Sequence, residues 1–69
     1  MQPLNDYNAV AIAEGWMEPP GDTVDEQRAA VLAAWQYLHD TGLGYRLQGW
    51  FGRTLHALRA QGYVSEGDA

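Results

Sequence analysis

Thr23–Asp40 reads TVDEQRAAVLAAWQYLHD and contains neither Gly nor Pro. Thr23 with Glu26 three residues on is a capping box. The hydroxyl takes a free N–H of the first turn and the carboxylate reaches back to the cap. Asp25 and Glu26 suit the positive end of the helix dipole. Val24, Val31, Trp35 and Leu38 fall on one narrow stripe at helical spacing, widened by Leu32 and Ala34. Ala29, Ala33, Gln36 and Asp40 take the opposite, solvent side, with Tyr37 on the flank. A helix over 24–40 follows, stopped at Gly42, with His39 in its last turn.

Upstream, Asn5 or Asp6 caps a shorter helix over about 6–14, whose apolar positions include Tyr7, Val10 and Ala11. Gly15 ends it. Nine residues do not hold a helix alone, so it must dock. GWMEPPGD, residues 15–22, is a turn-rich connection, because Pro19-Pro20-Gly21 cannot continue a helix. Trp16 and Met17 within it read as covering the core from outside.

Downstream lies GLGYRLQGWFGR, residues 42–53, which holds four of the eight glycines, three of the eight aromatics and two of the four arginines. Gly44 and Gly49 each weaken a helix by roughly 1 kcal/mol. The reading is a turn at Thr41-Gly42, a short helical piece near 43–47, a break near Gln48-Gly49 and a last helix over about 50–61. Leu43, Leu47, Phe51, Leu55 and Leu58 belong to the core, while Arg53 and His56 face away from it. Tyr63 and Val64 pack back. No stretch alternates with period two. The fold class is all-α: a small bundle of three main helices, about 6–14, 24–40 and 50–61, with a short helical turn near 43–47. Residues 1–64 form a single helical domain and 65–69 a disordered acidic tail.

A chain of 69 residues is close to the lower limit for a self-sufficient core, and without Cys it has no disulfide to help. Two His are a poor metal set, so neither metal nor cofactor is expected. No run approaches the length of a membrane span. The opening MQPLNDYNAV lacks the basic start and apolar run of a signal peptide, so the expectation is a cytoplasmic protein without a membrane partner.

The net charge of -5 is unevenly spread. Residues 1–40 carry seven acids and one Arg, whereas 41–64 carry three Arg and no acid. There is no Lys. Overall acidity opposes nonspecific nucleic-acid binding, but the local cationic segment can meet an acidic protein or RNA. No phosphate loop is present, and no nucleophile stands beside a His and an acid. Thr54 and His56 are two apart and point to different sides of a helix. No catalytic residue is assigned, and an enzyme is not expected.

Tyr45, Arg46, Gln48, Trp50 and Arg53 are the candidate partner-binding residues. Arg and aromatic side chains anchor interfaces through large buried area and planar hydrogen bonding. The competing reading has Tyr45 and Trp50 filling the corner between helices.

Asp40-Thr41-Gly42-Leu43, then Leu47-Gln48-Gly49, then Gly52-Arg53-Thr54 resemble a family of small proteins encoded by tailed bacteriophages, with the pattern DTGL…LQGxxGR and a final amphipathic helix ending in Gly. The match covers about Tyr37 to Gly62, and Trp50 departs from the pattern. The family is one of unknown function. The resemblance implies a phage protein working in the host cytoplasm and supplies no reaction or partner. The expected function is a non-enzymatic accessory protein that binds a host or phage protein, for host takeover or counter-defence. One alternative is an RNA-binding module in which Tyr45 and Trp50 stack bases and arginines hold phosphates. Another is a structural homodimer or virion component.

Overall fold

The computed structural model of the chain describes residues 4–47 and 49–65. The helices are α1 (Asp6–Glu14), α2 (Val24–Asp40), α3 (Leu43–Arg46) and α4 (Gly49–Ala60), and no strand occurs among the described residues. α1 packs on α2, α2 on α3, and α3 on α4. The all-α bundle and its three main helices match the expectation, with α4 beginning one residue earlier.

Caps set these boundaries. Thr23 Oγ1 accepts the Glu26 N–H at 3.1 Å, and Glu26 Oε1 accepts from Thr23 at 3.3 Å and from Asp22 at 2.7 Å. At α1 the cap is Asn5, and its reciprocal partner is Asn8 rather than an acid. Asn8 N–H donates to Asn5 Oδ1 at 2.9 Å, and Asn5 N–H donates to Asn8 Oδ1 at 2.8 Å. That exchange lets a polar residue lie buried on the inner face. The buried face of α1 is therefore Asn8, Ala9, Ala11 and Ile12. Tyr7, which the periodicity placed among the apolar positions, is exposed.

The core joins Ala9 and Ile12 of α1, Ala34, Trp35 and Leu38 of α2, Phe51 and Leu55 of α4, and Val64. Leu43, Leu47, Leu58 and Trp50 pack against it half-buried. Leu38 and Leu55 are its largest fully buried side chains. Val24 is exposed because it is the first residue of α2, nearly two turns before Val31 reaches the core.

Two polar links tie distant segments. Gln36 Oε1 accepts the Ser65 N–H at 2.9 Å, and Gln36 Nε2 donates to the Ser65 carbonyl at 3.1 Å. This carboxamide clamp seats Val64 in the core, while Tyr63 stays exposed. Ser65 is thus held; the rest of the expected acidic tail, residues 66–69, lies outside the described residues.

The Tyr37 hydroxyl donates to Asp6 Oδ1 at 2.7 Å and joins α2 to the start of α1. This hydrogen bond, with partial burial and the nearby negative charge, raises the Tyr37 pKa above its ordinary value. A raised folded-state pKa means the stabilisation is complete below the ordinary tyrosine range and is lost as pH rises through the raised value. Asp6→Ala is expected to shift Tyr37 ionisation to lower pH, as read by tyrosinate absorbance in an alkaline titration.

Candidate functional site

The Gly42–Arg53 stretch folds into a turn, α3 and the first part of α4. Gly42 makes the turn, with φ 76° in the left-handed region that side chains disfavour. Thr41 supports it, since its hydroxyl donates to the Tyr37 carbonyl at 2.9 Å and accepts the Leu43 N–H at 3.3 Å. Gly44, by contrast, is buried against Leu38 and Leu55.

α4 is two-sided. Phe51 and Leu55 point into the core. Gly49, Gly52, Arg53 and His56 recur at i, i+3, i+4 and i+7 and share another face. With Tyr45 of α3 they line an open groove of about 560 Å³. The two glycines make it concave. A Cβ at Gly49 would lie 3.2 Å from Arg53 Nη1, so the guanidinium occupies the room a side chain there would take. A Cβ at Gly52 would meet only the Tyr45 ring, 4.0 Å away.

Tyr45 is 45% exposed yet anchored. Its hydroxyl lies 2.7 Å from His39 Nδ1, and the two rings meet edge-on at 5.8 Å. The last turn of α2 therefore orients the wall of the groove. Arg46 and Arg53 are exposed. Trp50 is half-buried; its ring packs edge-on to Trp35 at 5.9 Å and beside Phe51 at 4.3 Å. It therefore reinforces the core as well as flanking the surface. Gln48 lies outside the described residues. The structure thus brings Tyr45 and Arg53 to one groove, leaves Arg46 exposed on α3, and turns the Trp50 ring onto the core.

His56 was not among the candidates from sequence, although its spacing from Gly49, Gly52 and Arg53 carried the signal. Among the described residues the groove lining combines a phenol, a guanidinium, an imidazole and no carboxylate. Such a set can hold a carboxylate or phosphate by charge and directed hydrogen bonds.

Gly52→Ala should separate the stability of the site from its shape. A helix interior gains roughly 0.5–1 kcal/mol from this change, and no close contact opposes it. The variant should melt higher by differential scanning calorimetry, while the added methyl makes the groove shallower.

No helix among the described residues is long and apolar enough to cross a membrane. No protein-family model, no curated protein and no solved structure matches the chain.

Proposed function

We propose that the protein is a non-enzymatic phage accessory protein that binds an acidic surface of a host or phage protein in the host cytoplasm, serving host takeover or counter-defence. The phage setting rests on the DTGL…LQGxxGR resemblance. The binding role rests on one observation: Arg53, His56 and Tyr45 surround an open groove floored by Gly49 and Gly52. The face belongs to a segment, residues 41–64, that carries three Arg and no acid within an otherwise acidic chain. That polarity steers an acidic partner to this side.

An acidic protein suits the face better than RNA does. Base stacking needs free aromatic planes. Trp50 spends part of its ring on Trp35 and Phe51, and Tyr45 meets His39.

Capture from host lysate by wild type, repeated with the Arg46→Ala/Arg53→Ala double variant, tests the assignment. A captured partner should then be titrated in purified form. Removing the arginines is expected to cost about 2 kcal/mol, roughly 30-fold in Kd. Equal recovery by both forms sinks the assignment. Tight binding of single-stranded RNA that weakens steeply with salt would transfer the face to RNA.

A further inference from the structure

The connection between α1 and α2 frames a second concavity, remote in sequence from the α4 groove. Its floor is the Ala29, Ala30 and Ala33 face of α2, with walls from Ile12 of α1 and from Met17 and Pro20 of the connection. The cleft holds about 670 Å³ and its lining is mainly apolar. Ala29 and Ala33 were expected on a plain solvent face; being small, they leave a trough where longer side chains would fill the space.

Two further features belong to the chain segment that bounds this cleft. The segment from Glu14 to Glu26 carries five carboxylates, Glu14, Glu18, Asp22, Asp25 and Glu26, and no basic residue. Glu18 and Glu26 line the cleft itself, and none of the five forms an ion pair among the described residues. Trp16, next in the chain to the cleft-lining Met17, is 75% exposed. Its backbone is firmly placed, because the Trp16 and Met17 N–H groups both donate to the Ala11 carbonyl, at 2.8 and 3.2 Å.

We infer that this cleft is a docking groove for a basic amphipathic helix of a partner protein. The apolar face of that helix lies on the alanine floor, and its Lys or Arg flanks meet the carboxylate rim. Small floor residues allow a close helix approach, and helix-in-groove recognition reads apolar anchors at i, i+3 and i+4. Charge complementarity selects the occupant. A second copy of this chain fits poorly, since two acidic rims would face each other. The chain's own cationic helix, α4, has already turned Phe51 and Leu55 into its core. The surface is independent of the Arg53 groove and does not rest on the function proposed for it.

The test is an NMR titration of the full chain with synthetic Lys/Leu peptides. One peptide has its leucines on a single helix face. A second has the same composition with leucines spread around the helix, and a third replaces Lys by Glu. Saturable shifts at Ile12, Met17, Ala30 and Ala33 are expected for the first peptide alone. Ala33→Phe, which fills the trough from an exposed position, and Glu18→Lys, which reverses the rim, should each weaken binding by about tenfold. Arg46→Ala/Arg53→Ala should leave it unchanged. Thermal melts establish that each variant folds. Equal binding of the spread peptide, no effect of either cleft variant on a folded protein, or a stable dimer in sedimentation that buries Trp16 overturns the proposal.

Discussion

Leu55→Ala is expected to remove most of the stability of this protein. Leu55 is fully buried at the point where α4 meets α2 and α3. Truncating such a leucine typically costs about 3–4 kcal/mol, combining lost transfer energy with the cavity left behind. A chain of 69 residues has in total only roughly 3–10 kcal/mol of stability to lose. Urea unfolding followed by Trp fluorescence should show a midpoint near zero denaturant, or a melting temperature lower by roughly 12–30 °C. A loss below about 1 kcal/mol would mean that the site collapses around the smaller residue, and that the core is less closely packed than described.

Gly44→Ala should destabilise nearly as much, although the same change usually strengthens a helix. A Cβ at Gly44 would drive into a Leu55 methyl and lie 3.2 Å from Leu38 Cβ. Both leucines are fully buried and have nowhere to move. Overpacking of this kind costs about 2–3 kcal/mol net, and it outweighs the roughly 1 kcal/mol of helix propensity gained. Gly52→Ala carries the opposite sign for the same chemical change, so the pair isolates tertiary context from propensity. A double-mutant cycle goes further. With Leu55→Ala in place, the Gly44 methyl enters vacated space, and the two losses should fall short of additive by about 1–2 kcal/mol. Strict additivity would show that α3 does not rest on Leu55.

Which parts of the molecule were legible in the sequence follows from the range of the forces involved. The start of α2 at Thr23 and its end before Gly42 were readable, because a cap is a contract between residues three or four apart. The core roles of Trp35, Leu38, Phe51 and Leu55 were readable from periodicity. The inner face of α1 was not, because Asn8 is a polar residue made compatible with burial by its exchange with Asn5. Trp16 was expected to cover the core and instead stands exposed, while Met17 turns inward. Two successive amides bonding to one carbonyl fix that turn, and no hydropathy pattern encodes it.

The candidate surface divides in the same way. The exposure of Arg53 followed from the wheel of α4 alone. His56 could have been added from its spacing to Gly49, Gly52 and Arg53, four positions of one helix face. Trp50 could not be decided, because a residue on a helix flank is core or surface according to what lies beside it, and here that is Trp35.

By itself, then, the sequence determined the number and type of the helices, their limits to within about one residue, and the charge contrast between the two halves of the chain. Capping, propensity and charge act within a turn or are simply counted. Only the tertiary structure decided that Gly44 is a packing requirement, that Tyr45 is held by His39, and that the alanines of α2 floor an acid-rimmed cleft. Each depends on which helix faces meet across the chain, and that is settled by the packing of all the side chains together.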